Sequence, residues 1–507
     1  MNSQSTHNAL AAKLKTSVPV VLTEQSKHSV EKTESARSTL DEITDRLELF
    51  HSADNTAYAT ISDETGIKTL EVNKGPFADW LNYQFFRLTG KAIKKAALEE
   101  TIGVLNAKAK FLGKQIEVYT RVAPYEDGVE IVHDLHSGSV VVVTSAQVST
   151  KSRATSKFVK YPSNVSQVSP VASDKSMLLP LLRKYINATE QDLTLIVVWL
   201  LASFRTNVPC PLLLVQGEQG SAKSTLGKVL KSLLDPAKPD TRTLPSSERD
   251  LAIAAKNSHV LVYDNLSGIT NAMSDALCRL VTGGGFATRK LQTDADEAIF
   301  DARRPMILNG IDDIAKRPDL LDRAISVHLP RISDSGRISE CQFWSAFVND
   351  KPQILGAIYQ ALSAIFATLP SVSLDTKPRM ADFAIFGVAV ERALDWEAGT
   401  FMQFYSAHSL DANERVLESD PLAIAIRECV SRLGSVEGTV TSVLNSLANC
   451  AGDDRDKRTW PTTRTLKKEL LRLGPPLRKV GIGWSESRSS AARFISIFAI
   501  DTMMDSA

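Results

Sequence analysis

LLLVQGEQGSAKSTLGKVLKSLL, residues 212–234, sets three kinds of sequence in a fixed order. Leu212 to Val215 is fully apolar, as a parallel strand buried on both faces must be. Gly217, Glu218, Gln219, Gly220, Ser221, Ala222, Lys223, Ser224 and Thr225 follow at the spacing GxxxxGK[ST], with Ala222 where a second glycine is usual. Leu226 to Leu234 then reads as a helix. Successive N–H groups at such a turn, with the helix N-terminus behind them, form a nest for phosphate. All of residues 217–225 are therefore nucleotide-binding candidates. Lys223 is expected to reach the β- and γ-phosphates, and Ser224 to give a hydroxyl to Mg²⁺. ATP and Mg²⁺ are the expected ligands. Ala222 is tolerated in this reading if its φ stays negative, because glycine normally supplies the close backbone approach.

Two more strands complete the expected site. His259-Val-Leu-Val-Tyr-Asp264-Asn265 ends in an acid 41 residues after Lys223. Asp264 is the metal-site candidate with Ser224, although a turn aspartate at a strand end fits the same letters. Asn265 stands where many such proteins carry a catalytic acid. An amide orients water but takes no proton, which leaves Glu248 and Asp250 as weak candidates for the base. Pro305-Met-Ile-Leu-Asn309 is a third apolar strand, and Asn309 is placed to position attacking water. Arg323, with Arg317 as runner-up, is a candidate finger acting on a neighbouring subunit's γ-phosphate. A surface ion pair is the plainer reading of Arg323 alone.

With these elements the chain resembles the superfamily 3 helicases, an AAA+ branch, and among them the primase-helicases of phages, satellites and mobile elements. Val281-Thr-Gly-Gly-Gly285-Phe-Ala-Thr-Arg289-Lys290-Leu-Gln-Thr-Asp294 is similar to that family's signature between the acid strand and the Asn strand. The resemblance implies a β-hairpin facing a central pore, with Arg289 and Lys290 touching single-stranded DNA. A homo-oligomeric ring, a hexamer, is expected because Arg323 is useful only beside a neighbouring subunit's γ-phosphate. An exposed basic pair at a helix end is the alternative for Arg289 and Lys290. Leu47 to Phe50, Ala57 to Ile61, Arg121 to Ala123, Pro378 to Phe383 and Asp411 to Glu414 resemble segments of ATP-binding proteins encoded by phages and integrative elements. The first 175 residues show no carboxylate pair of the kind a primase active site needs.

The fold class expected is an α/β P-loop AAA+ core with a parallel sheet. A small N-terminal α/β domain and C-terminal helical and winged-helix regions flank it. Residues 1–45 are Ser-, Thr-, Lys- and Glu-rich and read as a disordered tail, with a transient helix near Ala9 to Lys15. Residues 46–148 read as the small domain, with strands at 57–61 and 69–72, helices at 79–88 and 91–111, and a hairpin at 129–143. Residues 149–176 read as a basic linker, 177–335 as the ATPase core and 336–440 as a helical region.

Residues 450–507 read as a winged helix-turn-helix: two short helices, a turn, then a β-pair. Thr462 or Thr463 is the expected helix cap. Between 455 and 493 there are 11 Lys/Arg against 3 Asp/Glu, a balance that favours phosphate contact. Arg464, Lys467 and Lys468 are the duplex-DNA candidates, and a protein-contact or capping role is the alternative for this module.

The 507 residues carry a net charge of +1 and 43% hydrophobic residues, ordinary values for a globular chain of several domains. Five scattered cysteines without CxxC spacing argue against zinc and suit a reducing compartment, so a cytoplasmic location is expected. No apolar run reaches 18 residues, so no membrane partner is expected. The function expected is an ATP-dependent DNA helicase in mobile-element replication. The alternative is an ATP-binding origin-recognition or loading protein that does not unwind DNA.

Overall fold

The computed structural model describes residues 37–63, 66–126, 128–152, 154–206, 208–289, 297–300, 303–310, 317–451, 460–488 and 493–500. The helix expected near Ala9 and the basic residue Lys290 lie outside them. The chain divides into two compact units, one of residues 1–64 and 68–116 and one of residues 65–67 and 117–507.

The first unit begins with a helix at residues 37–44 (α1), inside the stretch expected to be a disordered tail. Leu40 and Ile43 are its apolar anchors, and both are buried. Strands β1 (Glu48–His51), β2 (Ala57–Asp63) and β3 (Gly66–Glu71) follow, then helices α2 (Gly75–Thr89) and α3 (Lys95–Phe111) and strand β4 (Lys114–Gln115). The sheet order is β3-β2-β1-β4. Phe77, Leu81 and Phe85, at helical spacing on α2, join Leu105 and Ala109 of α3 in its core.

The second unit opens with β5 (Val118–Tyr119), β6 (Val122–Pro124), β7 (Ile131–Asp134), β8 (Val140–Val143), β9 (Val148–Lys151) and β10 (Lys157–Phe158). Strands β6 to β9 form an antiparallel meander. The boundary expected at 148 therefore falls at 116. The cause is packing: Val122, Ile131, Leu135, Val141 and Val143 belong to one hydrophobic core with residues 178–401. Residues 149–176 are likewise more than a linker. Gln167 Nε2 donates to the carbonyls of Ser232 and Leu233, each at 2.9 Å, and is buried there.

Helices α4 (Leu178–Arg183) and α5 (Glu190–Ala202) lead into β11 (Leu212–Gln216), α6 (Lys223–Leu234), α7 (Glu248–Asn257), β12 (Leu261–Leu266) and α8 (Asn271–Thr282). A hairpin of β13 (Phe286–Arg289) and β14 (Glu297–Phe300) precedes β15 (Met306–Gly310), α9 (Pro318–Leu321) and β16 (Ala324–His328). The central sheet has the order β12-β15-β11-β16, and all its pairings are parallel. Strand β15 thus lies between the two strands whose ends carry the phosphate loop and Asp264. Helix α6 packs over β12 and β15, and α5 packs against β16.

Helices α10 (Glu340–Thr368), α11 (Ala381–Ala393) and α12 (Thr400–Ser419) follow. By length and composition α10 could cross a bilayer, but its apolar window is 61% buried inside the fold. Then come α13 (Pro421–Leu433), β17 (Ser435–Thr439), α14 (Val440–Ala451), α15 (Leu466–Lys479), β18 (Ile482–Arg488) and β19 (Arg493–Ala499), with sheet order β17-β19-β18.

The C-terminal module starts near 421 and not at 450, because Leu422, Ile426 and Val436 share a core with Leu466, Leu470 and Ile497. It has one helix after residue 460 where two short ones were expected. The helix runs through Pro475 and Pro476 because Leu473, Gly474, Pro476 and Leu477 are buried, and a Cβ on Gly474 would come within 3.0 Å of Trp484 Nε1. Packing here outweighs the helix-breaking tendency of proline. The cap is Thr465, whose Oγ1 accepts from Thr462 N–H at 2.8 Å. Cys429 and Cys450 form a disulfide between α13 and α14, a pairing that cysteine spacing alone does not show.

One buried ionic cluster joins the meander to the central sheet. Asp235, just past α6, accepts from Arg121 Nε at 3.0 Å, Lys231 Nζ at 2.8 Å, and the N–H groups of His259 and Val260 at 2.9 and 3.2 Å. Arg121 also donates to the carbonyls of Asp134, Val165 and Pro236. Burial alone would raise the Asp235 carboxyl, yet Lys231 and Arg121 hold it well below the usual carboxylate range.

Asp235→Ala leaves two buried cations without their carboxylate and is expected to cost about 3–5 kcal/mol in denaturant unfolding. A loss below about 1 kcal/mol would give the cluster no more weight than a surface pair. Burial also pushes His259 down to about 4 and His133 well below its ordinary value. Free histidine titrates near about 6.5, so the unfolded chain binds more protons just below that pH. Stability is expected to fall as pH drops from about 6.5 toward 4, and His259→Gln should reduce that slope. An identical slope in the variant would overturn the assignment.

Candidate functional site

The loop leaves β11 at Gln216 and enters α6 at Lys223. Gly217 has φ 142°, and a Cβ there would lie 2.6 Å from the Leu329 carbonyl oxygen, so no side chain fits. Gly220 has φ 84°. Ala222 has φ 67° and ψ 31°, so the expectation of a negative φ is wrong. The residue takes the left-handed conformation a glycine would take, at a cost of roughly 1–2 kcal/mol. Ser221 is buried, and its hydroxyl donates to the Glu218 carbonyl at 2.9 Å, closing the turn.

Lys223 Nζ folds back into the loop, donating to the carbonyls of Gly217 at 2.5 Å and Glu218 at 2.9 Å. Ser224 Oγ donates to Asp264 Oδ1 at 3.0 Å. Asp264 lies in the C-terminal half of β12, within a register shift between Tyr263 and Leu266. Asn265 has φ 58°, and its N–H donates to Asn309 Oδ1 at 3.0 Å. Asn309 is 2% exposed, and its Nδ2 has no partner. A buried donor left unpaired marks either strain or a missing acceptor. The structure thus brings Ser224, Asp264 and Asn309 together, with Lys223 on the same loop.

The donor set fits a magnesium nucleotide. Mg²⁺ is held in such sites by few protein ligands together with phosphate oxygens, and a hydroxyl beside a carboxylate is such a pair. Among the described residues no cluster of three or more His, Cys, Asp or Glu offers an all-protein metal site.

Other sequence candidates are engaged elsewhere. Glu248 pairs with Arg279 at 2.7 Å, and Asp250 accepts from the Ser247 hydroxyl at 2.7 Å at the start of α7. Arg323 Nη1 is held by the Asp319 carboxylate and by the Asp319 carbonyl at 2.8 Å, with its side chain 17% exposed. Arg317 bonds Asp275 and the Asn271 carbonyl. Arg379 bridges Asp319 and Asp322, and Lys479 of α15 reaches Asp322 at 3.4 Å.

Arg289 ends β13 opposite Glu297, in a hairpin and not at a helix end. The glycines before it have a local task. Gly283 has φ 82°, and a Cβ there would lie 2.3 Å from Arg303 Nε, which donates to the Thr282 carbonyl at 3.1 Å at the hairpin base. In the C-terminal module Arg464 and Lys468 are exposed, whereas Lys467 is paired with Glu486. Sequence reasoning missed Arg337, which lies against Gly220.

Residues 178–413 match the family model "Actinomycete integrative conjugative element replication protein", and residues 422–505 match that family's RepA C-terminal domain. No curated protein matches the chain. Solved structures similar to it include two of one protein region. "The A form apo structure of NrS-1 C terminal region-CTR" has a TM-score of 0.42 at 11% identity, covering 91% of this chain and 98% of that one. "The A form apo structure of NrS-1 C terminal region-CTR(305-718)" has 0.40 at 10% identity with the same coverages.

Ala222→Gly relieves the left-handed alanine and is expected to raise the unfolding free energy by up to about 1 kcal/mol, after the entropy that glycine restores to the unfolded chain. Denaturant titration measures it. A loss of that size would show that Ala222 is not strained.

Proposed function

Given that the chain from residue 178 onward belongs to the actinomycete integrative conjugative element replication protein family, we propose that it is an ATP-dependent DNA helicase acting in replication of such an element. The observation that carries this reading is the contact of Ser224 with Asp264 across the ends of two parallel strands, with buried Asn309 on the strand between the two. That strand order and the loop support an AAA+ core of the superfamily 3 kind.

Ser224 and Asp264 would hold Mg²⁺, which would supply neutralisation of phosphate charge. Lys223 gives up its loop carbonyls and turns its ammonium to the β- and γ-phosphate oxygens. The N–H groups of 217–225 fix the phosphates in line. Asn309 uses its spare Nδ2 donor to orient the attacking water. Asn265, which carries no charge, contributes its N–H to holding Asn309 in place.

The hairpin β13–β14 is the proposed contact with single-stranded DNA, through Arg289 and Lys290. The order α13-β17-α14-α15-β18-β19 supports a winged helix, with Arg464 and Lys468 at the phosphates of a duplex. Lys467 joins them only by leaving Glu486. A homohexameric ring completes the reading, with Arg323 released from Asp319 toward the neighbouring subunit.

A second reading is an ATP-binding origin-recognition or loading protein that does not unwind. Asn265, together with the engagement of Glu248 and Asp250, favours it, because a poor base slows hydrolysis.

The two readings separate on a forked duplex. The helicase displaces a strand, and Lys223→Ala is expected to lower ATP turnover by roughly 10²-fold or more and to abolish displacement. Asn309→Ala is expected to lower kcat by about 10-fold or more with nucleotide affinity little changed, because it acts on the transition state. ATP-dependent DNA binding without displacement would sink the helicase reading.

A further inference from the structure

After β16 the chain crosses back over the phosphate loop. Leu329 N–H donates to the Gln216 carbonyl at 2.9 Å, and Ile332 N–H meets the Gly220 carbonyl at 3.4 Å. Asn187 Nδ2 donates to the Pro330 carbonyl at 2.6 Å and to the Ser221 carbonyl at 3.4 Å, so one amide fastens the crossing segment to the loop. The segment ends in a 3-10 turn at Asp334–Gly336, followed by Arg337.

A Cβ built on Gly220 would lie 3.3 Å from Arg337 Nη2. The guanidinium therefore rests directly on the second glycine of the loop. Its ion pair is with Asp334 at 3.3 Å, and the side chains are 53% and 84% exposed. Exposed pairs of that kind hold weakly. Arg323 and Arg317, by contrast, are each held by a carboxylate and a carbonyl. Guanidinium groups engage phosphate oxygens through two parallel N–H bonds.

We propose that Arg337 binds the terminal phosphates of the nucleotide held by the loop of its own subunit, leaving Asp334 for the β- and γ-phosphate oxygens. The assignment rests on the reading of residues 217–225 as an ATP site. It makes the segment 329–337 a second wall of that site. It also supplies a charge that acts in cis, with no neighbouring subunit required. The loop amides bind any phosphate chain, whereas Arg337 joins Lys223 at the β- and γ-phosphates, so its contribution falls from a triphosphate to shorter chains.

The test is equilibrium binding of ATPγS, ADP and AMP to the full chain with Mg²⁺, by calorimetry. Arg337→Ala is expected to weaken ATPγS by about tenfold or more, ADP by less and AMP not at all. Arg337→Lys should recover part of the loss, and Asp334→Ala should leave ATPγS affinity equal or higher. Thermal unfolding without nucleotide should match the wild type in all three. If Lys223→Ala loses ATPγS while Arg337→Ala keeps wild-type affinity, Arg337 is not a phosphate ligand and the loop assignment stands. Equal weakening of all three nucleotides also overturns the proposal, because it marks a general distortion of the loop. If the wild-type chain binds none of them, the ATP reading itself fails and takes the proposal with it.

Discussion

Asp235 has no exposed surface and two cations upon it. A carboxylate out of water is tolerable only when it is paired and hydrogen-bonded, and each of its partners comes from a different part of the chain. Lys231 is the last basic residue of the helix that the phosphate loop starts. Arg121 comes from the antiparallel meander. The His259 and Val260 N–H groups precede β12, the strand that carries Asp264. The end of the helix far from the loop at 217–222 is thus anchored to the base of the strand that carries Asp264. The spacing between Ser224 and Asp264 at the other end is set by that anchor together with the apolar packing of α6 on β12.

The phosphate loop shows the same economy of shape. Gly217 is required because the Leu329 carbonyl occupies the place of a side chain. Ala222 holds a positive φ because the loop path demands it, whichever residue is present. Asn309 serves two neighbours at once: its oxygen holds the Asn265 N–H, and its nitrogen is left for something outside the protein. Carbonyls of Gly217 and Glu218 hold the Lys223 ammonium inside the loop.

What could be read from the letters was what is local. Strand, loop and helix from 212 to 234 follow each other without a gap, and their order matches the structure. The hairpin at 286–300 and its position between two strands were also legible through a resemblance. Long-range pairing was not. Nothing near Arg121 announces a carboxylate 114 residues away, so the meander was assigned to the wrong unit. The C-terminal module was cut short because α13 reads like any amphipathic helix, and its sheet partner lies far along the chain. The continuous helix through Pro475 and Pro476 was not legible either, because it depends on the burial of Leu473, Gly474, Pro476 and Leu477. The sign of φ at Ala222 is invisible in a one-letter code, since alanine itself has no preference for the left-handed region.

Asn265 has a consequence for how this site can change over time. Its conformation, φ 58°, is one that Asn and Asp both visit more readily than other side-chain-bearing residues. The fold uses its main-chain N–H, and its side chain is exposed. Aspartate has nearly the same volume and demands nothing new of the backbone, while it would bring an acceptor for a proton next to Asp264. The lack of a second acid is therefore not imposed by the architecture. It is a setting that one substitution can reverse, so an amide and a carboxylate at this position are neighbours in sequence space on one unchanged scaffold.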